Sequence, residues 1–568
     1  MKLFSEKTRI ILLLVPVIAA ALPVTSQETS DPRDILTVLK PALESIRADE
    51  ILASVRILAS NRFEGRNVGT TGETLTVNYL VNEFKRAGLK PGNPNRSFIQ
   101  SVPLVGYRTQ PRIDLKAHGK ELALNFPDDF VHEFPRLLPR VSIPNAEVVF
   151  GGYGIDAPEY GWDDYKGVDV RGKLVIILGG EPSAADKNDP AKQDGTFFKG
   201  ELRTFYSTME YKKELATNKG AAAVLFITDP EKSPNYSIFK TFALLEGFAL
   251  EPRVPATRTL ALTGLVTVNA ARRLFAASGL DLEELQSSAQ LKGFKPVSIG
   301  ARANITTTSK LRRIVSQNVV ARIEGSDPVL KNEYLIYTAH WDHLGIDKSR
   351  KGDQIFNGAI DNAIGTAEML AIARGIAKLP QAPKRSILFI ATTAEEKGWL
   401  GSRYYVQNPL YPLAKTIANI NIDGGNVWGR TKEVNSSGYG YSTLDEYFGN
   451  AAELQGRTFP NESMDNNGLY FGSDNVEFAR GGVPAFFAFG GFEYIGRPAG
   501  FGGKMWNDYA DKDYHQVSDE VGPEWDLSGA ADDAGWLLIA GYNIAQAEKR
   551  PEWKAGSEFK AMIERSPK

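Results

Sequence analysis

Only five histidines occur in the 568 residues, and two of them, His340 and His515, stand in stretches rich in carboxylates. His340 is followed by Trp341 and Asp342, and His515 closes the run Asp513-Tyr514-His515. Between them lie Asp361, the pair Glu395-Glu396, and Asp423 just before Gly424-Gly425. Imidazole and carboxylate together make the donor set that zinc favours. Two such ions about 3.5–4 Å apart would lower the pKa of a shared water towards ~7. A neighbouring carboxylate could take its proton and later pass it to a leaving amine. Singly, each residue has an ordinary reading. Asp361 suits a helix N-cap, Glu395-Glu396 a solvated helix start, and Asp423 a turn. Their joint occurrence at successive element ends is the informative feature.

The elements that must position them are legible. Tyr334–Ala339, Ser386–Thr392, Ile417–Ile422 and Val483–Phe489 are continuous apolar, β-rich runs, and the stretch 366–378 has helical spacing. Strands buried on both faces and alternating with helices predict an α/β domain with a mostly parallel mixed sheet flanked by helices. Ligands of such sheets bind beyond the carboxyl ends of the strands, where His340, Glu395-Glu396 and Asp423 fall. Upstream, residues 31–90 read as helical, with Ile35, Val38, Leu39, Leu43 and Ile46 at helical spacing and Gly88 a C-cap. Residues 98–150 read as strands separated by Pro and Gly turns. From 150 to 300 short β runs alternate with helices and polar loops.

Length and composition bound the function classes. A chain of 568 residues exceeds the ~250–300 at which single cores stop growing, so two domains or a large insertion are expected. With 42% hydrophobic and 24% charged residues, the chain is neither mainly disordered nor a polytopic membrane protein. A net charge of −2 gives no basic field for nucleic acid. There is no cysteine, which excludes a thiol nucleophile, a thiolate metal site and any disulfide. No G-x-S-x-G elbow or Walker loop occurs. The glycines at 152 and 154 imitate a dinucleotide fingerprint, but Pro158 and a polar aromatic loop follow where a helix is required. His343 forms an H-x-x-H with His340 and reads as a loop histidine near the rim; His118 and His132 have no evident partners.

Lys2, Lys7 and Arg9, the apolar run from Ile10 to Leu22 and the small-residue site Val24-Thr25-Ser26 read as a secretory signal over residues 1–26. The apolar run is shorter than the ~20 residues of a spanning helix, so no membrane span is expected after its removal. A large exported chain without disulfides suits a bacterial periplasm or secretion.

At this point the motifs reach a known family. AHWDHLG (339–345), NGAIDNAIG (357–365), TAEEKGWLGS (393–402), NIDGG (421–425), FGSDNVEFARGGVPA (471–485) and DYHQVSDE (513–520) resemble, in order and spacing, the co-catalytic di-zinc aminopeptidases, which include bacterial leucyl aminopeptidases and glutamate carboxypeptidase. LASNRFEGRNVGTTGE (58–73) is similar to the family's opening helix and Glu-Gly-Arg turn. GYGIDAPEYGWDDYKGVDVRGKLVII (152–177) is similar to the start of a β-rich protease-associated domain. The resemblance implies a zinc peptidase domain from residues 27–135 and 301–568, with a protease-associated insertion at 136–300. It implies two zinc ions, with Asp361 bridging, His340 and Asp423 completing one site, and Glu396 and His515 the other. It further implies Glu395 as general base, Asp342 orienting His340 through its other ring nitrogen, Tyr514 as a hydrogen-bond donor to the oxyanion, and a cis Asp361–Asn362 peptide. Ser473 and Asp474 would only shape the site. The expected substrate is a peptide, cleaved from its N-terminus. Three other readings stay open: a metallo-carboxypeptidase, a glutaminyl cyclase on a similar fold, and a metal-free binding protein of transferrin-receptor type, against which the retained ligand set argues. The insertion reads equally as a lid or as a stabilising or oligomerisation module.

Overall fold

The computed structural model describes residues 32–233, 236–252, 259–460 and 468–565. The signal expected at 1–26 lies outside them. The four apolar runs form strands Tyr334–His340, Ser386–Thr392, Thr416–Asn421 and Ala485–Phe489. All four run parallel, in the spatial order 386–392, 334–340, 416–421, 485–489. Every residue of the first three is buried, which is why they lack an apolar–polar alternation. Chain order reverses at 334–340: the next strand lies on one side and the third on the other. The crevice that such a reversal opens is where His340 and Asp423 emerge. Short antiparallel Asn435–Ser437 closes one edge, and the C-terminal end of Val297–Ile323 pairs antiparallel with 386–392 on the other.

Helices cover this sheet. Ile364–Ala377 packs Met369, Leu370, Ile372 and Ile376 into one core with Leu335, Tyr337 and Phe389 of the strands. Ser528–Gln546 joins the same core, and the Tyr337 hydroxyl donates to its Leu537 carbonyl at 2.9 Å. The fold class expected from the sequence is therefore the one observed. No described helix is long and apolar enough to cross a membrane.

Residues 98–150 form strands Ile99–Ala117, Lys120–Leu124, Phe130–Pro135 and Arg140–Phe150, separated by turns that contain Gly119, Pro127 and Pro139, as the sequence predicts; Pro103 and Pro111 are the exceptions that do not interrupt a strand. Ile99–Ala117 is a single strand of 19 residues that passes through Pro103 and Pro111 and pairs with Val297–Ile323 along almost its whole length. The Pro103 carbonyl accepts from Glu251 N, on the side away from that partner. A strand residue's N and carbonyl face the same way, so the missing N–H of Pro103 also faces away. Pro111 has the same parity, and neither proline removes a bond from the shared ladder. The two long strands continue the sheet into a second region, where Arg140–Phe150, Leu174–Leu178, Ala223–Thr228 and Leu262–Thr267 follow in order, the last three parallel to their neighbours. Ile113, Phe130, Phe150, Leu225, Phe275 and Ile305 belong to the separate core of this region.

Buried ion pairs join the two regions. Arg403, on helix Leu400–Gln407, pairs with Glu477 at 3.0 Å and with Glu210 at 2.8 Å. Lys213 holds Glu210 at 2.8 Å and Glu133 at 3.0 Å. Burial alone would raise the Glu210 carboxyl, but Lys213, Arg403 and Arg480 hold it well below the usual range.

Candidate metal centre

His340 is the last residue of its strand. Glu395 and Glu396 open a short turn three residues beyond strand Ser386–Thr392, and Asp423 lies two residues beyond Thr416–Asn421. Asp361 sits in the turn before helix Ile364–Ala377, and His515 in the loop after helix Phe501–Lys512. These six side chains converge. Asp361 Oδ1 is 3.2 Å from His340 Nε2, and its Oδ2 is 3.1 Å from His515 Nε2. His340 Nε2 also lies 3.1 Å from Asp423 Oδ1, and His515 Nε2 lies 3.1 Å from Glu396 Oε2. Asp361 thus faces two imidazoles with two different oxygens, and each imidazole faces one further carboxylate. Ligand atoms of His340, Asp361 and Glu396 all fall within 4.8 Å of one another.

Charge tests whether a cation belongs here. Asp361 and Glu395 are 7% and 9% exposed. Burial works against His515 being charged, yet Glu396 and Asp361 raise it to about 10. His340 is likewise raised by Asp423 and Glu395 against its burial. Buried carboxylates this close need positive charge between them, and protons on the two histidines supply it in the absence of metal. Divalent ions would replace those protons, so the donor types and the charge both fit zinc.

The supporting residues are as specific. His340 Nδ1 lies 3.1 Å from the main-chain carbonyl of Asp342, while the Asp342 carboxylate is 4.0 Å away and accepts from Glu395 N at 3.0 Å. Asp342 therefore meets His340 through its backbone, while one oxygen of its carboxylate fixes the Glu395 turn and the other, Oδ2, has no hydrogen-bond partner; burial pushes that carboxyl up to about 7. Ala394 and His515 take left-handed φ values of 54° and 59°, the kind of backbone strain that surrounding structure must impose. Tyr514 stacks on His515 with ring centroids 3.9 Å apart and is 38% exposed. Ser473 donates to Asp423 Oδ2 at 2.6 Å and accepts from Asn421 at 2.8 Å. The Asp361–Asn362 peptide is cis.

Three contributors carried no assigned role in the sequence. Asp519 accepts from Ile360 N at 2.9 Å and from Asp361 N at 3.1 Å, gripping the turn that presents Asp361. His343 lies in the loop after His340, as expected, but is buried, with Nδ1 2.6 Å from Glu396 Oε1. Its H-x-x-H spacing was the available signal. Arg66 ends the Glu-Gly-Arg turn and is 1% exposed. Its guanidinium donates to the carbonyls of Trp341 (2.8 Å), Leu58 (2.8 Å), Asn357 (2.6 Å) and Gly358 (2.8 Å), tying the loop after the first strand to the one before Asp361. Gly65 lets that turn close, since a Cβ there would meet the Phe356 carbonyl at 2.4 Å. His118 and His132 stand apart from the cluster. Phe242, from helix Tyr236–Leu244, comes within 6.0 Å of the His515 ring, centroid to centroid, and Lys397 Nζ lies 5.6 Å over the Phe242 ring.

Residues 318–537 match the model of Peptidase family M28. That stretch contains all six motif segments that carry the resemblance. Aminopeptidase NAALADL1 of Mus musculus is 32% identical over 139 residues, 23% of this chain and 17% of the relative. Aminopeptidase YwaD of Bacillus subtilis is 29% identical over 247 residues, 42% and 46% of the two chains. The matches thus span less than half the length of these curated relatives. Among solved structures, an aminopeptidase from Aneurinibacillus sp. strain AM-1 is similar at 16% identity, covering 90% of this chain and 95% of that one, with a TM-score of 0.47. BSAP, a zinc aminopeptidase from Bacillus subtilis, is similar at 19% identity, 88% and 95% coverage and a TM-score of 0.40.

Burial pulls the Arg66 guanidinium down to about 10 against the pull of Asp361, Asp519 and Asp342. Lysine keeps the charge but cannot reproduce a planar fork spanning four carbonyls. Arg66→Lys is expected to cost about 3–5 kcal/mol in urea unfolding. A loss within about 0.5 kcal/mol of zero would mean that the four contacts contribute no net stability.

Proposed function

We propose that the chain is an exported zinc-dependent exopeptidase, and specifically an aminopeptidase that hydrolyses N-terminal residues from peptides. The observation that carries this reading is the two-sided contact of Asp361 with His340 and His515. One zinc would be held by His340, Asp361 and Asp423, the second by Asp361, Glu396 and His515. When bound, the ions would supply Lewis-acid polarisation of the attacking water and of the scissile carbonyl.

The remaining work falls to the chain. Glu395 takes the proton of the attacking water and delivers it to the amine nitrogen that leaves as the C–N bond breaks. Burial and its carboxylate neighbours, against the pull of His340, raise the Glu395 carboxyl well above its ordinary range, which suits a group that must both accept and return a proton. Asp342 supports it by accepting the Glu395 main-chain N–H and by holding Nδ1 of His340. Tyr514, beside His515, donates its hydroxyl to the oxygen that gains charge as the carbonyl carbon becomes tetrahedral. Residues 27–135 and 301–568 form the peptidase in this reading, and 136–300 a protease-associated insertion. Phe242 beside His515 favours a role for the insertion in restricting access and holding substrate. The signal read at 1–26 provides the route of export.

Glu395→Gln is expected to keep the wild-type zinc content by elemental analysis while turnover falls by about 10²–10⁴-fold. Peptide hydrolysis at the wild-type rate would remove Glu395 from the base role. His515→Ala should lower the zinc stoichiometry; unchanged stoichiometry and activity would strike it from the ligands. Peptides with a free N-terminus should be cleaved whether their C-terminus is free or amidated, and N-acetylated ones should not. Cleavage that instead requires the free C-terminal carboxylate would make the enzyme a carboxypeptidase.

A further inference from the structure

Beside Asp423 the fold forms a partly open pocket of about 50 Å³, which the reaction described above does not use. Trp428, Phe489, Tyr494, Trp506 and Trp536 give it aromatic walls. Glu368 also lines it, projecting from the helix that follows Asp361. Glu368 is 2% exposed, and its Oε1 has no hydrogen-bond partner. Oε1 lies against Gly425, where a Cβ would come to 2.7 Å. Gly425 is two residues past Asp423, so their Cα atoms are at most about 7.6 Å apart, within reach of an extended lysine side chain. Asp533 lines the pocket too, but Arg457 pairs with it at 2.7 Å from outside the lining. No lysine, arginine or histidine lines the pocket.

A buried acid without a partner is costly. Burial, with Asp533 opposite, pushes the Glu368 carboxyl well above its ordinary range, and among the described residues that line the pocket none is a cation that would hold it ionised. The walls are suited to such a cation: aromatic faces attract an ammonium or guanidinium, and they pack against its methylene stem.

We propose that this pocket receives the side chain of the substrate's terminal residue, and that Glu368 selects a cationic one, lysine or arginine. The proposal rests on the peptidase reading, which makes Asp423 part of the reaction centre. Glu368 is a specificity residue and takes no part in the proton transfers.

Lysinamide and norleucinamide share a four-carbon stem and differ in the terminal ammonium. Calorimetry on the zinc-loaded Glu395→Gln protein, in which hydrolysis of the amides is suppressed, should find lysinamide bound at least about 10-fold tighter than norleucinamide. When Glu368→Gln is added the two affinities should converge, with norleucinamide unchanged, which also reports that the variant is folded. With Glu395 intact, the kcat/KM values of the corresponding aminoacyl anilides should follow the same pattern. Equal affinities with Glu368 intact overturn the proposal, as does a Glu368→Gln variant that loses both ligands alike, which would make the acid structural. Glu368-dependent binding of lysinamide without turnover of either anilide would sink the peptidase reading and leave the pocket standing. Turnover without preference does the reverse, and absence of both binding and turnover overturns the two together.

Discussion

The arrangement depends on one carboxylate that is shared. Asp361 presents one oxygen to His340 and the other to His515, and both imidazoles face a further acid behind it. Isolated buried carboxylates would protonate or draw in water. Here burial and Glu396 do push Asp361 towards protonation, yet the two imidazole donors hold it well below the usual range. The acid therefore stays ionised in a dry place, provided positive charge remains on both sides. Everything that fixes the Asp361 turn acts, at one remove, on that balance.

Three distant stretches meet to fix it. Asp519, four residues beyond His515, accepts the N–H groups of Ile360 and Asp361, so one loop supplies both His515 and the grip on the shared acid. Arg66 reaches the same turn from the N-terminal helices and adds the only fixed charge among these supports. Asn362 ties the turn to the third strand end, donating to the Ile422 carbonyl at 2.9 Å and accepting from Gly424 N at 3.0 Å. Asp423 is held between those two residues. The positions of Asp361 and Asp423 are thus set by one short network rather than by two independent loops.

Much of this was legible in the sequence, for identifiable reasons. Strands such as Tyr334–His340 announce themselves because burial on both faces leaves an unbroken apolar run. Donors at their ends follow from the geometry of parallel sheets. The long strand Val297–Ile323 was not legible. Its middle reads Thr306-Thr307-Thr308-Ser309-Lys310 and continues to Arg312-Arg313, because one face is solvated and its pairing partner lies about two hundred residues away. Arg66 and Asp519 lay in motifs that were recognised, but their partners are main-chain groups, which leave no trace in residue types. Glu368 looked like any helical glutamate, since nothing in its spacing tells that the surface it faces is enclosed.

The second region bears on the reaction centre from two directions. Phe242 approaches His515 from the front. From behind, Glu210 pairs with Arg403, whose helix begins four residues after Glu396. That helix start is also held by Trp399, whose ring N–H donates to the Gly472 carbonyl at 3.1 Å, next to the Ser473 that holds Asp423. A shift of the second region would therefore not merely uncover the site. It would pull on the turn that carries Glu395 and Glu396 and on the residue that orients Asp423. Because Arg403, Glu210 and Glu477 are all largely buried, breaking the junction leaves charges unpaired in a poorly solvated place. The energetic cost that holds the two regions together is thus the same cost that keeps the acids of the centre in register.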